Sequence, residues 1–129
     1  MAQFHEISTF EDFTKLIVSL QDLKVPIFAE FYGAHDSSGK SWCPDCVKAE
    51  PIVEEVMKSS APSTAHFLHV SVGERSEWRD PNCPFRTDSS LKLTCIPTLI
   101  EWGTSRKLLE EDCADKKKVM DFVSASSTN

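Results

Sequence analysis

Several absences narrow this chain of 129 residues before any motif is considered. Its 14 basic residues are outnumbered by 20 acidic ones, giving a formal net charge of -6. No basic cluster is interleaved with aromatics, which sets nucleic acid aside as a partner. The first 25 residues carry Glu6, Glu11, Asp12 and Asp22 and hold no sustained apolar core, so neither a signal peptide nor a membrane span is expected. A second Cys-x-x-Cys is missing, as is a His pair at ligand spacing, so a closed four-ligand zinc site has no source and no metal is expected. There is no nicotinamide or flavin motif, and no bound cofactor is expected. No internal repeat occurs, and the only low-complexity stretch is the small polar tail 124–129, expected to fray.

What remains is 40% hydrophobic and 26% charged, enough to bury a core in one globular domain spanning residues 1–129, expected to be a monomer. Five cysteines cannot all pair within one chain, so a reducing compartment is the simpler reading, with the cytosol as the default. One pair is expected to cycle while the other thiols stay free.

Hydrophobic periodicity gives the elements. Gln3–Ile7 reads as a strand, and Ser8 with Glu11 forms a capping-box signature before Phe10, Phe13, Ile17 and Leu20. Residues 25–32 are almost continuously apolar, the pattern of a central strand covered on both faces. A long helix from Pro44 to about Ser59 follows, with a kink expected at Pro51. Residues 66–72 form a third strand, 73–87 read as irregular because of Pro81, Asn82 and Pro84, and 88–93 as a short helix. A hairpin of 98–102 and 107–110 turning at Gly103 and Thr104, then a helix over 115–124 with Val119, Phe122 and Val123 inward, completes the order. Alternation followed by a terminal hairpin predicts an α/β fold with a central mixed β-sheet flanked by helices.

The chemistry centres on residues 41–46, Ser-Trp-Cys-Pro-Asp-Cys. Proline suits the first helical position, and Ala49, Ile52, Val53 and Val56 repeat at helical spacing behind it. Cys43 therefore sits at a helix N-terminus, where unpaired N–H groups and the dipole favour the thiolate. Cys46, three residues on, is within bridging reach. These positions make Cys43 the nucleophile and Cys46 the resolving thiol. Half a zinc knuckle is the rival for such a pair, disfavoured by the missing second half. Pro44 and Asp45 tune the couple: the Asp45 charge disfavours the Cys43 thiolate and makes the dithiol more reducing, against the helix dipole. Glu30 is the one ionisable residue in an apolar strand, so it is either exposed or useful.

The Trp42-Cys43-Pro44-Asp45-Cys46 run after a hydrophobic strand, together with Ile96-Pro97-Thr98 further on, resembles the thioredoxin family over nearly the whole chain. The resemblance implies a thioredoxin-like fold and a thiol-disulfide oxidoreductase acting mainly as a disulfide reductase. It also implies NADPH and thioredoxin reductase as electron source, with protein or small-molecule disulfides, and peroxide, as acceptors. It implies a cis Pro97, an Ile96 backbone that pairs with an extended substrate, and a Glu30 in the place of a buried aspartate that relays a proton to the resolving thiol. Trp42 is read as flanking the substrate. Residues 34–41, with His35, Asp36 and Lys40, and 73–85, with Trp78, lengthen two loops and suggest a selective surface; solvated loops are the plain alternative. A glutaredoxin shares Cys-Pro-x-Cys, but the segment after Pro97 lacks that family's Gly-Gly-x-Asp. A redox-regulated protein-binding module is the rival of another class. Cys83, Cys95 and Cys113 are read as structural or incidental thiols, with Cys95 alone expected to approach the site. Lys116, Lys117 and Lys118 are read as a solvated face, and His66 and His69 as strand-flanking.

Overall fold

A computed structural model of the chain describes residues 1–125; the tail expected to fray lies outside them from residue 126 on. The fold is built on β2 (Ile27–Tyr32), every residue of which is buried. It pairs in parallel with β3 (His66–Ser71) and antiparallel with β4 (Thr98–Glu101). Outside these lie β1 (Gln3–Ile7), parallel to β3, and β5 (Lys107–Leu109), antiparallel to β4, giving the order β1-β3-β2-β4-β5. The sheet is mixed, as expected.

Burial on both faces explains the apolar run in β2. Ile27, Ala29 and Phe31 pack with Phe13, Ile17 and Leu20 of α1 (Phe10–Leu20). On the other face Phe28 packs with Val53, Val56 and Met57 of α2 (Pro44–Ser59) and with Val119, Phe122 and Val123 of α5 (Lys116–Ser124). Helix α2 runs as one element through Pro51, an exposed residue. Among the described residues, no helix is long and apolar enough to cross a membrane.

Three local expectations are corrected. The cap of α1 is Thr9, not Ser8: burial of Phe13, Ile17 and Leu20 starts the helix at Phe10, and Thr9 Oγ1 accepts the Asp12 N–H at 3.1 Å. Residues 73–87 hold two short helices, α3 (Arg75–Arg79) and α4 (Pro84–Thr87). A reciprocal Glu74–Glu77 capping box starts the first, and Pro84, at the opening position, starts the second instead of breaking it. Residues 88–93 form a turn, not a helix. There the Asp88 carboxylate accepts the Ser90 N–H at 3.0 Å, competing with helical bonding, and Lys92 is left-handed at φ 47°.

Candidate active site

The end of β2 and the start of α2 are tied together by Ser41. Its hydroxyl donates to the Gly33 carbonyl at 2.6 Å and accepts the Cys43 N–H at 3.1 Å. Cys43 becomes the N-cap of α2, with Pro44 opening the helix, and its sulfur accepts the Cys46 N–H at 3.3 Å. Across from it the Ile96–Pro97 peptide is cis, and the Cys43 sulfur lies 3.9 Å from the Ile96 carbonyl oxygen. That places the Ile96 backbone beside the nucleophile.

The two sulfurs differ in protonation. The Cys46 thiol's hydrogen bond, with smaller help from backbone N–H groups, brings Cys43 down to about 7, against burial and the Asp45 charge. The same hydrogen bond and burial push Cys46 far up. A thiolate at Cys43 and a thiol at Cys46 are thus the favoured pair near neutrality. All five cysteines are free.

Trp42 is half-buried and acts first as a clasp. Its indole N–H donates to the Gly73 carbonyl at 2.9 Å, and the Arg75 guanidinium lies 5.1 Å from its ring centroid. A Cβ at Gly33 would stand 2.5 Å from the indole, so only glycine admits the ring there. The segment 34–41 folds back on itself through a His35–Ser41 bridge. Its Asp36 carboxylate accepts the Ser38 and Lys40 N–H groups at 2.8 and 3.2 Å. Lys40 lines a cavity of about 480 Å³ beneath that segment, together with Glu6, Glu30, Glu50 and His69.

Glu30 does not reach the surface. It is 1% exposed, neither carboxyl oxygen has a hydrogen-bond partner among the described residues, and burial raises its pKa to about 8 despite the attraction of His69. Its charge acts on the Cys46 thiol.

His69 corrects the reading as a strand-flanking residue. It stands opposite Glu30 in the β2–β3 register, with Nε2 2.9 Å from Glu50 and 3.6 Å from Glu30, and Nδ1 2.9 Å from Glu6. Its ring stacks on Tyr32 at 3.9 Å. Burial opposes its charge, but Glu50, Glu30 and Glu6 outweigh that and raise it to about 9. The period of two in β3 carried the signal, since it puts His69 on the same face as Phe67.

Cys95 is not alone in approaching the cis peptide. The Cys113 sulfur lies 3.8 Å from the Pro97 carbonyl oxygen and 3.3 Å from that of Leu108, and burial pushes this thiol up to about 12. Cys95 is half-buried, its sulfur 3.8 Å from Thr98 Oγ1. Lys116, Lys117 and Lys118 pair on the surface with Glu55, Asp121 and Asp112. Among the described residues, no group of three or more His, Cys, Asp or Glu is arranged to hold a metal ion.

A family model described as thioredoxin domain-containing protein 17-like, thioredoxin domain, matches residues 6–125. The chain is 44% identical over 115 residues to thioredoxin domain-containing protein 17 of Homo sapiens, covering 88% of this chain and 89% of that one. To the Mus musculus protein of the same name it is 42% identical over 121 residues, covering 92% and 94%. Among solved structures, oxidised thioredoxin O1 of Arabidopsis thaliana superposes with a TM-score of 0.62 at 22% identity, covering 94% of this chain and 97% of that one, which shows the fold. In the sequence, the Pro44-Asp45 dipeptide and the insert before Trp42 point toward the same protein 17 group.

Proposed function

The chain belongs to the thioredoxin domain-containing protein 17-like family, whose thioredoxin domain supports a thiol-disulfide oxidoreductase role, and we propose that it works mainly as a disulfide reductase. The observation that carries this is Cys43 itself, an N-cap thiol held near 7 beside the Ile96 carbonyl, with a protonated Cys46 behind it. Cys43 thiolate attacks a substrate disulfide, and one substrate sulfur leaves with the electron pair. Cys46, giving its proton to Glu30, then attacks Cys43; the second substrate sulfur leaves and a Cys43–Cys46 disulfide remains. Two electrons per cycle restore the dithiol. Their source is NADPH through thioredoxin reductase, with no cofactor bound by this chain. Acceptors are protein or small-molecule disulfides, with peroxide as a further one, met by a monomer in the cytosol. Trp42 and the cis Pro97 loop flank the approaching disulfide, and the clasp between Trp42, Gly73 and Arg75 narrows its entry.

NADPH consumption with a small disulfide tests the electron source. Turnover with thioredoxin reductase and little with glutathione plus glutathione reductase is expected, and the reverse result would make the protein glutaredoxin-like. For the roles, Cys43→Ser abolishes reduction, whereas Cys46→Ser attacks once and stalls as a mixed disulfide on Cys43. Mass spectrometry that found the trapped adduct on Cys46 in the Cys43→Ser variant, and none on Cys43 in the converse, would reverse them.

A further inference from the structure

Glu30 is surrounded by groups that disfavour its charge. Glu6 comes from β1, Glu50 and Glu54 from α2, and all three carboxylates oppose its ionisation. Tyr32 on its own strand, Cys46 at the start of α2 and Cys113 in the turn after β5 are neutral near pH 7, and each feels the Glu30 charge. The nearest cation is His69, 3.6 Å away on β3, with Lys40 of the segment 34–41 on the wall of the same cavity. A neutral imidazole has one N–H to give, yet His69 faces carboxylate oxygens on both nitrogens, Glu50 on Nε2 and Glu6 on Nδ1, each at 2.9 Å. Satisfying both requires the imidazolium. The Glu50 oxygen that holds Nε2 is also 2.7 Å from His35 Nε2, which anchors the clamp to the segment 34–41. Glu30 and His69 both line the cavity beneath that segment.

We infer that His69 is a positioning residue for the resolving step: clamped as an imidazolium by Glu50 and Glu6, it holds part of the buried Glu30 population as the carboxylate that takes the Cys46 proton. This rests on the reading of Glu30 as the proton acceptor. The Cys46 proton moves to Glu30, the Cys46 electron pair forms the bond to Cys43, and the substrate sulfur leaves with the electrons of the broken disulfide. The proton then passes from Glu30 to water in the cavity, and His69 returns Glu30 to its ionised form. His69 touches no reacting sulfur; it acts through Glu30.

The test is the rate of resolution in a single turnover with an aromatic thionitrobenzoate disulfide, followed by release of the coloured thiol between pH 5.5 and 9.5. Removing the cation in His69→Gln raises the Glu30 pKa, so the rising limb of the profile moves to higher pH. Each unit of movement slows resolution about tenfold at pH 7, and the rates converge above the limb. His69→Lys, which restores a cation, moves the limb back toward wild type, and Glu30→Gln removes it. If Glu30→Gln loses the limb while His69→Gln keeps it at the wild-type position, His69 has no such role and the Glu30 reading stands. If Glu30→Gln keeps both limb and rate, the Glu30 reading falls and the role of His69 with it. A His69→Lys profile displaced like that of His69→Gln also overturns the inference, because charge is then not what matters. Nitrogen-15 NMR of the unmutated protein provides a check independent of folding in any variant: both His69 ring nitrogens are expected to be protonated at pH 7, and a neutral ring would refute the clamp.

Discussion

Two glutamates on one face of one sheet, Glu30 in β2 and Glu101 in β4, are each 1% exposed and have opposite surroundings. Glu101, in register with Phe28, meets the Arg106 guanidinium across the β4–β5 hairpin. Arg106 also lies 4.3 Å from the Phe122 ring centroid and donates to the Phe122 carbonyl, so the cation is oriented by packing and hydrogen bonding. Glu30 has no hydrogen-bond partner among the described residues, and its nearest cation is held by other carboxylates. Burial alone therefore does not set the job of a carboxylate. A directional hydrogen-bonded pair fixes Glu101 as structure, whereas an attraction without a hydrogen bond leaves Glu30 able to gain and lose a proton beneath the dithiol.

The sharpest way to break the comparison is to remove the guanidinium beside Glu101. Arg106→Leu leaves a buried carboxylate without its guanidinium. It is expected to cost roughly 2–4 kcal/mol, below the full penalty for a wholly buried pair because Arg106 is partly exposed. Urea unfolding at pH 7 measures this. Resolution kinetics of the folded fraction should match wild type, because the pair lies away from the sulfurs. A variant of normal stability but slow resolution would invert the roles assigned to the two glutamates.

The converse change, Glu30→Leu, should stabilise. For a carboxyl raised from 4.5 to about 8, the folded state keeps a proton that the unfolded chain releases, so wild-type stability falls as pH rises across that window. The leucine variant lacks that fall. The pH-dependent part of its gain is absent below about pH 4 and grows toward pH 8, to at most about 4–5 kcal/mol, a bound that already includes the attraction to His69. Resolution should slow in the same protein while first attack is spared. Unfolding midpoints at pH 4 and pH 8 check the sign, and a stability difference independent of pH would show that Glu30 is not the titrating group.

The fold was legible where one physical cause dominated. Continuous burial wrote the apolar run of β2, and the steric fit of Pro44 to a first helical turn marked the start of α2 and so placed Cys43. Legibility failed where two local causes competed. Ser8 and Thr9 are both able caps, and only the burial of Phe13, Ile17 and Leu20 selects between them. Pro84 reads as a breaker or as a first residue until Phe85 is seen to be buried. The same holds at the site. Glu30 stood out because its neighbours in sequence are apolar, whereas His69, Glu50 and Glu6 come from three different elements and meet only through strand pairing and helix docking. Cys113 meets the Pro97 carbonyl through the return of the chain after β5, a contact that no spacing in the sequence encodes.

The smallest effect concerns Asp45, whose charge stands in the water-facing first turn of α2, in contrast to the buried charge of Glu30. Its carboxylate raises the Cys43 pKa, while its backbone N–H, pointing at the same sulfur, lowers it. Asp45→Asn removes the first influence and keeps the second, so the Cys43 thiolate is favoured and its pKa falls below about 7. A more stable thiolate makes the dithiol a better resting state, which raises the reduction potential. One pKa unit is worth about 1.4 kcal/mol, or roughly 30 mV for a two-electron couple when the thiolate dominates the reduced form. Because Asp45 is partly exposed, water screens its charge and the change should stay at or below a few tens of millivolts. The fold and the Arg106 pair should be untouched. Thiol titration gives the pKa, and equilibrium with a defined dithiol buffer gives the potential. A pKa that rises, or a potential that falls, would mean that the Asp45 side chain serves α2 as a cap and that its loss reorients the N–H groups on which the Cys43 sulfur depends.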